Sequence, residues 1–242
     1  MAALPSERVS SDKPLFSFVG VDYFGPFEAK RGRSTVKRFG CILTCLSSRA
    51  VHLEVCESLD ADSFLNAFRL FVARRGQPVK IFSDNGSNFQ AGEKELRNAF
   101  KAMNKDDVEA FFHSKGCEWH FNPPTASHFG GAWERLIRSV RRILRGVLRQ
   151  QTVTDEVLTT VLAEVESILN SRPLTDFSSD PKDEEPLTPN HLLLMRHGPD
   201  TPVDAGVSYD RKRWLQIIQL RYNVESIRGL LALISGNYLV IF

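Results

Sequence analysis

The sequence predicts an α/β domain, and three observations carry that assignment. Three short β-rich runs come first in close succession; apolar residues at helical spacing follow; a further short strand then ends on an acidic residue before helical patterns resume.

Residues 15–22, LFSFVGVD, form an apolar run bounded by Pro14 and by Gly25-Pro26, and read as a buried strand ending at Asp22. Residues 39–46 (FGCILTCL) and 50–55 (AVHLEV) are two more β-rich runs, separated by the turn-like Ser47-Ser48-Arg49. Sequential strands with short connections imply an antiparallel meander. The period then changes: Asp60 is placed as an N-cap, and Phe64, Leu65, Phe68, Phe71 and Val72 recur at helical spacing until Gly76 and Pro78 end the segment. Residues 79–82 are a short strand delivering Ser83-Asp84-Asn85-Gly86. Weaker helical patterns cover 93–103 and 107–115, and residues 117–121 read as a last strand before Pro123-Pro124.

Residues 131–149 read as one long helix with Trp133, Leu136, Ile137, Val140, Leu144, Val147 and Leu148 on one stripe. A further helix, capped by Thr154 and helped by Asp155 and Glu156 in its first turn, runs to about Asn170 and is stopped by Pro173. The expected organisation is a disordered segment over 1–14, a core over 15–172 and a C-terminal extension over 173–242, read as truncated. The extension opens on the acidic, proline-containing DFSSDPKDEEP of 176–186.

Bulk composition narrows the functional classes. A hydrophobic fraction of 42% and a charged fraction of 25% are those of a soluble globular chain. The apolar stretch 229–242 falls short of the ~20 residues a membrane helix needs, so no membrane association is expected. Cys41, Cys45, Cys56 and Cys117 form no C-x-x-C pair and have no histidines at finger spacing, which argues against structural zinc and fits a reducing compartment. The net charge of +2 is unremarkable, but its distribution is not: residues 131–149 carry 6 Arg against the single Glu134.

Asp22 and Asp84 both stand where a predicted strand leaves the sheet, and a carboxylate there needs compensation. If the two strands are neighbours, a helix packed behind them could add Glu134, placed in the first turn of its helix where the dipole favours negative charge. Such an oxygen-rich set suits Mg²⁺ or Mn²⁺, and two ions could drive in-line phosphoryl displacement. Taken singly, each acid has an ordinary alternative: Asp22 and Asp84 as turn formers, Glu134 as a first-turn helix residue.

The surrounding strings are more specific. VGVDYFGPF around Asp22, FSDNGSNF around Asp84 and HFGGAWERLIRSV around Glu134 resemble the three catalytic blocks of the integrases of Bel/Pao-type long-terminal-repeat retrotransposons. LSSRAVHLEV, FNPPTASHFGGAWE and ILNSRPL are similar to that family too, so the resemblance covers roughly residues 16–194. The interval from Asp84 to Glu134 is longer than in retroviral integrases, the extra length falling in the helices after Asp84. The resemblance implies a ribonuclease-H-like fold, a mixed five-stranded sheet flanked by helices with a helical C-terminal extension. It also implies Mg²⁺ dependence through two ions held by Asp22, Asp84 and Glu134, and a polynucleotidyl transfer reaction on double-stranded DNA. Action as a homo-oligomer in the nucleus, after a cytoplasmic phase, belongs to the same expectation.

Around the acids, Asn88 is a candidate for orienting a phosphate, with a turn hydrogen bond as the alternative, and His128 for DNA contact beside the third block. Arg138, Arg141, Arg145 and Arg149 continue the Glu134 face of the long helix as guanidinium groups that match phosphate oxygens; a solvated charged face with Glu134–Arg138 pairing is the alternative. Lys37, Arg38 and the RKR run of 211–213 could extend that surface.

The enzyme reading is therefore hydrolysis of DNA ends followed by attack of the freed 3′-hydroxyls on target DNA. The competing reading is a decayed or host-retained module that binds DNA or protein without turnover. No His-His-Cys-Cys zinc module precedes the core, and RYNVESIRGLLALISGNYLVIF after Leu220 departs from the family pattern. A ribonuclease-H-like nuclease on RNA–DNA hybrids shares the metal chemistry but not the HFGGAWE block.

Overall fold

The computed structural model describes residues 6–10, 12–84, 108, 111–113, 115–122, 127–148, 151–175 and 186–195. A helical turn, α1 (Ser6–Val9), lies within the segment expected to be disordered. The first long strand, β1 (Phe18–Arg31), pairs antiparallel with β2 (Ser34–Cys45), from Val19↔Cys45 to Arg31↔Ser34. The two-residue connection starts at Gly32, whose φ of +62° fits a tight hairpin.

β1 is much longer than the sequence predicts. Gly25-Pro26 was expected to end it, but the register shifts between Phe24 and Phe27 and the ladder resumes beyond. An irregularity is where a strand tolerates a residue that cannot donate a hydrogen bond. Gly25 takes a φ of +121° there, a conformation that L side chains rarely adopt.

β2 returns into β3 (Val51–Cys56), giving the antiparallel meander expected. Helix α2 (Ala61–Arg75) then carries the chain from the β3 edge to β4 (Lys80–Asp84), on the far side of β1. Asp60 caps α2 by accepting the Ser63 N–H at 2.8 Å, and Gly76 closes it by donating to Val72 O at 2.9 Å. Next come β5 (Glu118–Asn122), the long helix α3 (Ser127–Leu148), β6 (Val153–Thr154), α4 (Asp155–Asn170) and the short α5 (Pro189–Leu194).

The sheet order is β3-β2-β1-β4-β5, with β4 and β5 parallel to β1 and the two-residue β6 pairing with the far end of β1. This mixed sheet with helices on both faces is the α/β arrangement expected from the sequence, with six strands where five were expected. β6 is the addition that a two-residue pattern could not announce.

Side-chain alternation along the strands builds two cores. Val19, Val21 and Tyr23 of β1 meet α2 through Phe64, Phe68 and Phe71, joined by Phe112; Phe68 and Phe112 lie edge-on at 4.5 Å. On the opposite face, Phe24 and Ile42 meet Trp133, Val140 and Ile143 of α3 and Leu158, Val161 and Val165 of α4. All four cysteines are buried free thiols. Among the described residues, no helix is long and apolar enough to cross a membrane.

The edge strand β3 is closed by α4 rather than by another strand. Asn170 accepts the Val51 N–H through Oδ1 and donates to Val51 O through Nδ2, both at 2.8 Å, and Glu166 accepts the Leu53 N–H at 2.8 Å. Two helix side chains thus satisfy the backbone groups that an exposed edge would offer to another chain. Asn170→Leu leaves both Val51 groups buried without partners, and is expected to cost about 2–4 kcal/mol. Urea unfolding measures it, and a loss below about 1 kcal/mol would show that these bonds are replaced by solvent.

Candidate functional site

Asp22 does not end a strand. It lies inside β1, paired with Ile42, and what stops beside it is the parallel neighbour: β1–β4 pairing runs from Phe18↔Lys80 to Val21↔Ser83. Asp22 and Asp84 each follow the last paired residue, so their backbones stand at one level on strands about 4.8 Å apart. The side chain of Asp84 lies outside the described residues, as do Asn88 and Arg149 and the side chain of His128.

The Asp22 carboxylate is half-buried and accepts the Tyr23 N–H through Oδ1 at 2.7 Å. It shares its sheet face with Gly20 and Phe24, the face that α3 covers. Gly20 is what allows the helix so close, since a Cβ there would fall 2.2 Å from Trp133 Cε3. Trp133 is buried in that contact, and Glu134, the next residue, is half-buried. One indole on one glycine therefore locks the helix bearing Glu134 onto the strand bearing Asp22.

Glu134 is not in the first turn of its helix. The helix starts at Ser127 and runs through Gly130 and Gly131, so Glu134 lies near the end of its second turn, and the dipole argument for its charge falls. Glycine weakens a helix interior by only about 1 kcal/mol, which the apolar stripe of α3 offsets.

The arginines follow the stripe logic. Trp133, Leu136, Ile137, Val140, Leu144 and Val147 are buried, whereas Arg138 and Arg145 are exposed and Arg141 is half-buried. Burial depresses the Arg141 pKa, the Asp22 carboxylate opposes that, and Arg145 adds to the depression. Arg141 is thus within electrostatic reach of Asp22, which ties the arginine face to the acidic position. Arg38 is different. It is 4% exposed and forks onto both oxygens of Asp155 at 2.7 and 3.0 Å, pinning the start of α4 to β2, so it cannot extend a DNA surface; Lys37 beside it is exposed. Residues 211–213 lie outside the described residues.

Among the described residues, no group of three or more His, Cys, Asp and Glu side chains is placed to hold a metal ion. A buried ionic network does exist, unanticipated by the sequence reading, between α2, β3 and α4. His52 contacts Glu54 at 2.9 Å and Glu166 at 3.4 Å, Arg74 donates to Glu54 at 2.8 Å, and Arg75 donates to Glu166 at 2.5 Å. Both guanidinium groups hold carboxylates as structural ties.

No protein-family model and no curated protein matches the chain. Among solved structures it is similar to a chain of the simian T-cell lymphotropic virus intasome in complex with PP2A regulatory subunit B56 gamma, at 13% identity and a TM-score of 0.49. That match covers 87% of this chain but 66% of the other, just under two thirds of its length. It is also similar to the HTLV-2 integrase catalytic core domain in complex with magnesium, at 17% identity and a TM-score of 0.43, covering 69% of this chain and 93% of that one. The catalytic core domain of BIV integrase is similar at 16% identity and a TM-score of 0.45, covering 74% and 95%. At such identities none of them transfers a residue role to this chain.

Proposed function

We propose that this chain is an integrase catalytic core of the Bel/Pao retrotransposon type, binding double-stranded DNA and carrying out metal-dependent 3′-end processing and strand transfer. The observation that supports this most is the register that sets Asp22 and Asp84 side by side, under a helix locked to the same face one residue before Glu134. A half-buried carboxylate oriented by a backbone N–H suits a hard divalent cation. Asp22, Asp84 and Glu134 would hold Mg²⁺ or Mn²⁺. Two ions held there would supply Lewis acidity for an in-line displacement at phosphorus.

The protein's own part is positional. The Tyr23 N–H fixes the Asp22 carboxylate, Trp133 on Gly20 fixes the helix of Glu134, and Arg138, Arg141 and Arg145 offer guanidinium groups along the same helix to DNA phosphates. Contacts of that kind go to backbone rather than base edges, so target preference should be weak. The protein acts as a homo-oligomer in the nucleus on this reading.

Purified protein incubated with labelled element-end oligonucleotides in Mg²⁺ or Mn²⁺ should yield joined products that EDTA abolishes. If joining never rises above that of Asp84→Asn while both proteins bind DNA, the enzyme reading falls and a binding module remains. Replacing Arg138 and Arg145 together by Gln should reduce the slope of log K against log salt by about 2, since each lost phosphate contact removes roughly one unit. Fluorescence anisotropy across a salt series reads that slope; an unchanged slope would place the DNA elsewhere.

A further inference from the structure

Beyond the irregularity between Phe24 and Phe27, β1 and β2 leave the sheet together. Their ladder continues from Phe27↔Arg38 to Arg31↔Ser34 and closes through a turn at Gly32 and Arg33. β4 pairs with β1 no further than Val21, and β3 pairs with β2 no further than Phe39. The two strands therefore project as a ribbon, roughly 15 Å long, past the level at which Asp22 and Asp84 stand. The ribbon is held firmly at its base. β6 pairs with Ala29 and Lys30, Ala29 and Val153 are buried there, and Arg38 forks onto Asp155 at the start of α4.

Its outer half is cationic. Residues 27–38 contain Lys30, Arg31, Arg33, Lys37 and Arg38 against the single acid Glu28. Arg38 is committed to Asp155, and Glu28 stands directly opposite Lys37 in the ladder. Lys30, Arg31 and Arg33 are the exposed excess at the tip. Arg31 reaches Glu57 only at 3.9 Å, between two side chains largely in solvent, a pairing that contributes little. Charges on a ribbon can serve merely to keep other chains from pairing with an open edge. That accounts for Lys37, on the outer strand β2. It does not account for Lys30 or Arg31, because β6 covers the β1 edge, nor for Arg33, which lies in the turn.

We propose that the β1–β2 ribbon grips the phosphate backbone of duplex DNA through Lys30, Arg31 and Arg33, a contact separate from the arginine face of α3. A two-stranded antiparallel ribbon fits a DNA groove, and cations in excess at a rigid tip favour a polyanion. The strand also fixes where the contact falls. Arg31 follows Asp22 by nine residues along β1, which spans roughly 25–30 Å. At about 3.4 Å per base pair, the ribbon meets DNA about eight base pairs from the reacting phosphodiester. That placement rests on the acidic positions being the reaction site; the contact itself does not.

The test uses the full chain and duplex DNA in EDTA, so that binding is read without turnover. The triple variant Lys30→Gln/Arg31→Gln/Arg33→Gln should melt with the unsubstituted protein, since all three residues are exposed. Its slope of log K against log salt should be lower by about 2–3, one unit for each lost phosphate contact. Lys115→Gln, at an exposed residue before β5 and so at the opposite end of the sheet, should leave the slope unchanged. All four native cysteines are buried, so Arg33→Cys carries one reactive thiol for a tethered cleavage reagent. On labelled element-end DNA its cuts should centre about eight base pairs from the end. An unchanged slope in the triple variant overturns the proposal. So does a triple variant that aggregates while binding DNA as before, which would make the tip a guard of the edge, and so do cuts confined to the terminal base pairs. A lowered slope with no strand joining by the unsubstituted protein removes the catalytic reading and leaves the ribbon contact standing.

Discussion

Asp22→Asn is expected to lower metal-dependent DNA cutting and joining by at least about a thousandfold while the protein stays folded. The size follows from what a metal ion contributes: several kcal/mol of charge stabilisation, with each 1.36 kcal/mol worth tenfold in rate. The fold should survive because the amide oxygen of asparagine can still accept the Tyr23 N–H, held at 2.7 Å by the carboxylate. What is lost is the negative charge beside Asp84 and its attraction for Arg141. Two measurements separate a metal effect from a general one. Mn²⁺ should raise the melting temperature of the unsubstituted protein and not of the variant. DNA binding measured in EDTA should be no weaker, because removing a carboxylate lessens repulsion of phosphate. A variant that retains activity within tenfold would remove Asp22 from the metal site.

What the sequence made legible was whatever local pattern decides. The Phe64, Phe68 and Phe71 stripe, the Asp60 cap and the Gly76 stop gave α2 its position, and Thr154 caps α4 by accepting the Val157 N–H at 3.4 Å. β1 was cut short because Pro26 normally ends a strand, and only the cross-strand register shows an irregularity absorbing it. The start of α3 was placed late because Gly130 and Gly131 resemble a break, and packing overrode that propensity. The adjacency of Asp22 and Asp84 was inferred from strands ending in acids. The structure sharpens the reason: β4 pairing stops next to Asp22 while β1 itself continues. Contacts between distant residues left no local trace. Trp133 needs Gly20 because of how a helix crosses a strand, and Arg49 meets Arg172 across 123 positions of chain. Both arginines lie in strings that resemble the family, LSSRAVHLEV and ILNSRPL, yet neither string by itself says that they meet.

The buried network illustrates the same point with a large energetic consequence. Glu166→Ala is expected to destabilise the protein by about 3–5 kcal/mol, the usual loss when one partner of a buried ionic group is removed. Glu166 holds Arg75, His52 and the Leu53 N–H together, so its removal strands Arg75 and an edge-strand donor and leaves His52 with Glu54 alone. Burial alone pushes the Glu166 pKa up, but His52, the Leu53 N–H and Arg75 outweigh it and leave it lowered. Burial likewise pushes His52 down, and the hydrogen bonds to Glu166 and Glu54 outweigh that and leave it raised. The signs set a window. A lowered carboxylate contributes stability above its unfolded value of about 4.3, lost as pH falls; a raised histidine contributes below its unfolded value of about 6.5, lost as pH rises through the folded pKa. Both contributions are complete only between those values, so the network stabilises most in mildly acidic solution and weakens above it. Urea unfolding from pH 5 to pH 8 should therefore show this component declining in the unsubstituted protein and flattened in Glu166→Gln. Glutamine can still accept the Leu53 N–H but leaves Glu54 alone to raise the His52 pKa, so its loss should be smaller than that of alanine. If Glu166→Ala unfolds within about 1 kcal/mol of the unsubstituted protein, the network is a solvent-relaxed contact and α4 is held by its apolar stripe, the Arg38–Asp155 pair and the Asn170 bonds to Val51.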